Sequence, residues 1–279
     1  EFPNKTFVSW AANKFDIRLD RNELKDLKPE QVYEKLLRLV GEKYTRREIE
    51  YPIEFAMSMT YRPDGVNIYA FESLSRWIAD RFGKAVTVEY LQNTPPSIVH
   101  RELLQISEQY HKTGLEGEID EKLAALSPQQ LAEWANSRFH AILKSEELQD
   151  KQIAKETLLK TGREFLRTEL SELEKYVLLQ FYDTAWKDHL YSMDRLKESI
   201  FMRAYAEKDP KIEYKQEGFR MFSEMLDSIE DKVTDTIFKV RLEAGTRSRN
   251  IFAAGRTRHD EAQHFEQTER QRAAAQAPQ

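Results

Sequence analysis

From Leu158 to Leu242 apolar residues recur at steps of three and four along two stretches separated by Arg203 to Pro210, and this rhythm constrains the chain more than any other feature. The first stretch carries Leu166, Leu170, Leu173, Val177, Phe181, Trp186, Leu190, Met193, Leu196 and Ile200 with no proline among them. Along the second, Phe219, Phe222, Leu226, Ile229, Val233, Ile237 and Val240 keep the same step. Asp209-Pro210 supplies a helix start, an acceptor at the cap followed by the residue best tolerated at the first helical position. Two apolar stripes joined by so short a link bury each other by folding back antiparallel, so a helical hairpin is expected, with its stripe residues as core. The link, Phe201-Met202-Arg203-Ala204-Tyr205-Ala206, keeps large apolar, aromatic and basic side chains where polar turn residues are usual. Either it touches something outside the chain or its aromatic folds back onto the hairpin.

Composition supports helix elsewhere too. Only nine glycines and nine prolines punctuate 279 residues rich in Leu, Glu, Lys and Ala. A net charge of -5 shows no global basic excess, so nucleic acid is not an expected partner. Cysteine is absent, which rules out disulfides, thiolate metal sites and cysteine catalysis within these residues. No apolar run approaches the roughly 20 residues that cross a bilayer, and the N-terminus has no basic-then-apolar signal, so membrane contact is expected to be peripheral. Phosphate loops, Gly-x-Gly-x-x-Gly turns, His-Glu-x-x-His and the Gly-x-Ser-x-Gly elbow are missing, and the six histidines lack metal-ligand spacing. No catalytic, cofactor-binding or metal-binding residue is assigned, and no enzyme activity is expected of the chain alone.

Ahead of the hairpin, one helix is expected from Asn4 to Phe15, burying Phe7, Trp10, Ala11 and Phe15. Another starts at Lys28-Pro29-Glu30 and ends in the charged run Lys43 to Glu50. Trp10 with Phe15, Trp77 with Phe82 and Trp134 with Phe139 repeat one frame, a Trp followed five positions later by an aromatic, with Phe7, Leu74 or Leu131 three positions before it. Leu27-Lys28-Pro29-Glu30 is answered by Thr94-Pro95-Pro96-Ser97, so residues 4 to 145 read as a helical lobe grown by partial duplication of one helix-pair unit. Tyr51 to Tyr69, with Pro52 and Tyr61-Arg62-Pro63-Asp64-Gly65, reads as the least helical stretch, and Thr87-Val88-Glu89-Tyr90 as a short extended piece. After Ala244-Gly245 few large apolar groups remain, so 244–279 is expected to be a flexible tail or linker.

At the hairpin the wording becomes specific. Tyr176-Val177-Leu178-Leu179-Gln180, Trp186-Lys187-Asp188-His189-Leu190, Met193-Asp194, Arg203-Ala204-Tyr205-Ala206 with Lys208-Asp209-Pro210, and Glu213-Tyr214-Lys215 closely resemble the C-terminal scaffold hairpin of the SecA family of preprotein translocase motors. The resemblance runs from about Glu172 to Val240; Trp10 to Tyr44 is more loosely similar to the start of the family's helical wing domain. It implies an all-α piece with three parts: residues 1–150 as a helical wing domain enlarged by an insertion or duplication at about 51–150, residues 151–243 as the scaffold two-helix finger with its tip at 203–210, and the tail. It also implies that Met202, Arg203, Tyr205 and Lys208 at the tip meet the preprotein and the SecY-type channel, with Trp186, His189, Leu190, Met193, Asp209 and Pro210 as the structural signature of the finger. Trp186, His189 and Leu190 are expected to pack against the rest of the scaffold. ATP and Mg would be bound by motor domains of a larger parent at the cytoplasmic side of the inner membrane; the start at Glu1-Phe2, without Met, adds to the expectation of a fragment. The alternative from another class is a free-standing helical interaction or dimerising module.

Overall fold

The computed structural model describes residues 2–25, 27–61, 69–203 and 209–240; among these the regular structure is helical throughout, with no strand. Helices α1 (Phe2–Phe15) and α2 (Pro29–Thr60) form an N-terminal pair. A lobe follows, built from α3 (Ala70–Phe82), α4 (Val88–Asn93), α5 (Pro96–Gln109), α6 (Leu115–Ala125), α7 (Pro128–Phe139) and α8 (Lys151–Leu166). The hairpin is α9 (Thr168–Arg203) and α10 (Pro210–Lys239). The all-α expectation holds.

Starts are written by capping chemistry. Ser127 Oγ and the Gln130 side chain exchange hydrogen bonds with each other's backbone N–H groups ahead of Pro128, and Asp150 Oδ1 accepts from the N–H groups of Gln152 (2.8 Å) and Ile153 (3.0 Å). Thr87, read as part of an extended piece, instead caps α4 by accepting from the Tyr90 N–H, so Val88 to Asn93 is helix.

The larger correction is α2. Its charged run does not end it; the helix continues for 32 residues, straight through Pro52. A proline inside a helix removes one hydrogen bond and costs about 3 kcal/mol, but Tyr51, Pro52, Ile53 and Met57 are all buried there, and burial outweighs that loss. At about 48 Å, α2 becomes the spine of the molecule. Its N-terminal half packs Leu36 with Ala11, Ile17 and Leu19. Tyr51 in its C-terminal half joins Leu170, Leu173 and Val177 of α9. Ile53, Ala56 and Met57 then enter the main core with Leu74, Ile78, Leu103, Ile119, Leu131 and Leu158. Residues 62–68, the turn expected beyond it, lie outside the described residues.

The three Trp frames end their helices alike. In each the Trp and Phe rings meet edge-on: Trp10 with Phe15 at 5.5 Å and 90°, Trp77 with Phe82 at 5.7 Å and 85°, Trp134 with Phe139 at 5.4 Å and 75°. In each the next residue is left-handed, Asp16 at φ 54°, Gly83 at 64° and His140 at 52°, and these are the positive-φ residues of the described chain. Burial differs from expectation at the first copy, where Ala11 is fully buried and Trp10 is 46% exposed.

A π-helical turn, Tyr110–Gly114, joins α5 to α6. Gly114 is required there, since a Cβ would stand 2.7 Å from the Tyr110 ring. His111 Nδ1 lies 2.9 Å from the Ser107 carbonyl, and burial pushes its pKa below the ordinary 6.5. With the folded value depressed, the unfolded chain binds the proton more readily. The stabilisation is therefore present above pH 6.5 and is lost as pH falls through the folded pKa. His111→Gln is expected to flatten the decline of the unfolding midpoint between about pH 7 and pH 5; an unchanged decline assigns it to other groups.

Candidate functional site

The hairpin is a finger. Its helices of 36 and 30 residues run antiparallel, and at 1.5 Å per residue the longer extends about 54 Å. Toward the tip, Met202 and Arg203 fall in the last turn of α9, while Tyr205 and Lys208 lie outside the described residues. Asp209 and Pro210 do what their order indicates: Asp209 Oδ1 accepts from the Lys211 N–H at 2.9 Å, and Pro210 opens α10.

In the half of the hairpin nearer the link, the Met193 thioether of α9 lies over Gly218 of α10, with Cε 2.9 Å from where a Cβ would be. The His189 ring stands edge-on to Phe222 of α10 at 5.7 Å and lies the same distance from Trp186, which stacks on Tyr182 at 6.2 Å. Trp186 and Leu190, expected from sequence to pack against the rest of the scaffold, remain 36% and 48% exposed. With Leu179, Tyr182, Phe219 and Leu226 they leave one side of the finger apolar and uncovered. The stripes are wider than one partner helix can cover. The line buried on α10 is Gly218, Met225, Ile229 and Phe238, so Phe219, Phe222 and Leu226 lie off it.

The root carries the electrostatics. The chain bends at Arg167, φ -100° and ψ 14°, so α8, which periodicity runs into the finger, ends there and shares the main core of the lobe. Across the bend Arg81 of α3 donates to the Phe165 carbonyl behind it and to Glu169 Oε1 beyond it (2.7 Å), where the Trp77 indole N–H also donates (2.8 Å). The Arg81 guanidinium lies 4.5 Å from the centre of the Phe165 ring. From the other side α2 holds Arg167 itself: Arg167 donates to the Tyr44 hydroxyl (2.6 Å) and to Glu174 (2.7 Å) and pairs with Glu48 (3.2 Å). Burial, then the hydrogen bond to Glu174, pushes the Tyr44 phenol up to about 12, and burial raises the Glu48 carboxyl. At the far end of α10, Arg47 Nε donates to the Ile237 carbonyl (3.1 Å), and Lys14 Nζ donates to both the carbonyl and the carboxylate of Asp231 (2.7 and 2.9 Å).

None of Lys14, Arg81 and Arg138 is picked out by periodicity, yet the signal is present: each stands four positions after the Trp of its frame, and each finds an acidic partner, Asp231, Glu169 or Glu118. Aligning the three frames to the basic residue as well as to the rings would have found them.

A helical lobe carrying a long two-helix finger, gripped at its root and open along one apolar side, defines a helical wing-and-scaffold protein. The family model described as SecA Wing and Scaffold domain matches residues 71–241, and the chain belongs to that family. It is 30% identical over 282 residues to the protein translocase subunit SecA 1 of Rhodopirellula baltica, covering 92% of this chain and 23% of that protein, a span that takes in α2. The SecA subunit of Xanthomonas campestris is 35% identical over 144 residues, 49% of this chain and 15% of that protein; that of Methylococcus capsulatus is 45% identical over 87 residues, 31% and 10%. The chain thus spans less than a quarter of each of these relatives. No solved structure matches it. The matched stretch contains most of 51–150, read from sequence as an insertion, and leaves out α1 and α2.

Proposed function

We propose that this chain is the wing and scaffold part of an ATP-driven protein translocase, residues 1–150 forming the wing, 151–243 the scaffold with α9 and α10 as its two-helix finger, and 244–279 a linker, and that the finger works by contact at its tip. The observation that carries the reading is the finger itself, a hairpin of about 54 Å whose grips on the lobe and on the N-terminal helix pair gather around Arg167 and at Asp231 to Ile237. A lever held at one end delivers movement at the other. Relatives named as protein translocase subunits support the assignment. At the tip Tyr205, flanked by Met202, Arg203 and Lys208, meets the moving preprotein at the mouth of a SecY-type channel; an aromatic ring holds any passing chain without demanding a sequence. ATP and Mg belong to motor domains of the parent, the chain binds no cofactor and no nucleic acid, and the assembly works at the cytoplasmic face of the inner membrane as a peripheral protein. No described helix is long and apolar enough to cross a membrane.

Tyr205→Ala in the full translocase is expected to slow preprotein transport severalfold while leaving its basal ATP hydrolysis in place, read by protease protection of a preprotein in membrane vesicles. Unchanged transport removes Tyr205 from this role.

The uncovered side of the finger favours a second reading, a dimerising scaffold in which Trp186, Leu190 and Phe219 pair between chains. Sedimentation separates the two. A monomer over micromolar concentrations supports the finger, whose apolar side other segments of the parent cover; a dimer that Trp186→Glu dissolves supports the rival.

A further inference from the structure

We propose that Arg81, Tyr44 and Lys14 are positioning residues that set the direction of the finger, holding its root from two sides, and that α1 and α2 brace a finger that the lobe of α3 to α8 alone holds from one side only. The proposal rests on the finger reading above and concerns its aim.

At the bend the backbone leaves helical geometry at Arg167, so the lobe and the finger are not continuous as one rod. What crosses the bend is side chain. Arg81 spans it from the wing, one guanidinium nitrogen on the Phe165 carbonyl and the other on the Glu169 carboxylate. Tyr44 and Glu48 hold Arg167 from the opposite side through α2. The Arg167 backbone is bonded locally, its N–H to the Arg163 carbonyl and its carbonyl to the Ser171 N–H, whereas among the described residues two buried side-chain atoms beside the bend, Arg167 Nε and Glu169 Oε2, have no hydrogen-bond partner.

Beside the grip from α2, the repeated frame supplies one grip on each helix of the finger. In the second copy the Trp77 indole and Arg81 bind Glu169 near the start of α9. In the first copy Lys14 binds Asp231 of α10, and the Phe15 ring stands edge-on to Phe238 at 5.4 Å and 89°. The third copy stays inside the lobe, Arg138 binding Glu118 and the Asp80 carbonyl. The copy in the lobe thus fixes one helix, and the copy outside the matched family stretch fixes the other. Leverage makes this matter, because a tilt of about 5° at the root carries the far end of a rod of about 54 Å through roughly 5 Å.

The chain has no cysteine, so a label pair can be introduced cleanly. Spin labels at Glu121→Cys on α6 and Glu198→Cys on α9 report the lobe-to-finger distance, and a pair at Glu198→Cys and Glu224→Cys reports the finger alone. Glu169→Gln, Tyr44→Phe and Lys14→Ala, each conservative or peripheral to the core, are made in the whole chain. Expected are a broader lobe-to-finger distance distribution in each single variant, a further broadening in the triple variant, and an unchanged distribution within the finger. A lowered unfolding temperature with unaltered lobe-to-finger distances would overturn the proposal by making these contacts merely structural; broadening within the finger itself would overturn it too. Failure of the transport reading at Tyr205 leaves these distances untouched, so the two ideas fail separately.

Discussion

Arg81→Ala is expected to cost about 3–5 kcal/mol of stability, the range for removing one partner of a buried ion pair. The Arg81 and Glu169 side chains are 7% and 11% exposed, and the substitution leaves the carboxylate buried with, among the described residues, only the Trp77 indole as donor. It also removes one of the donors to the Phe165 carbonyl, where Thr168 Oγ1 still donates, and the nearer of two guanidinium groups at the Phe165 ring, Arg138 remaining at 5.7 Å. Urea unfolding measures the loss. Arg81→Ala combined with Glu169→Ala should recover part of it, because the stranded charge goes too, and the double-mutant cycle isolates the coupling. A loss under about 1 kcal/mol would place the pair with exposed ion pairs and remove its claim to hold the root.

Leu158→Ala is expected to cost about 2–5 kcal/mol, because the fully buried Leu158 side chain sits in the main core and its truncation leaves a cavity in addition to the lost transfer energy. Leu179→Ala on the finger, the same chemistry at 66% exposure, is expected to stay within about 0.5 kcal/mol. Equal costs at the two positions would mean that the side of the finger bearing Leu179 is covered in solution, and would count for the dimerising reading.

Much of the architecture is legible in the residues because helix signals are local. Asp209-Pro210, Ser127-Pro128 and Asp150 announce helix starts through bonds made within three positions, and the Trp frames announce three helix ends of one geometry. Where local signals conflict with burial they mislead. Pro52 argues for a break in α2, and only the packing of Tyr51, Ile53 and Met57 against distant helices overrides it. Stripe width misleads in the same way, since the rhythm that places Trp186 and Leu190 with the core says nothing about which partner is present to cover them.

The finger itself was therefore determined by sequence alone: two stripes, a short link and a capped restart leave a chain few other ways to bury its apolar groups. Its root was decided only by the tertiary structure. Lys14 is 217 positions from Asp231, Arg81 88 from Glu169 and Tyr44 123 from Arg167, and no periodicity reports a contact between residues so far apart. Such pairs depend on where separate helices come to rest once their apolar faces have packed, and charge neutralisation then selects among side chains that packing has already brought within reach.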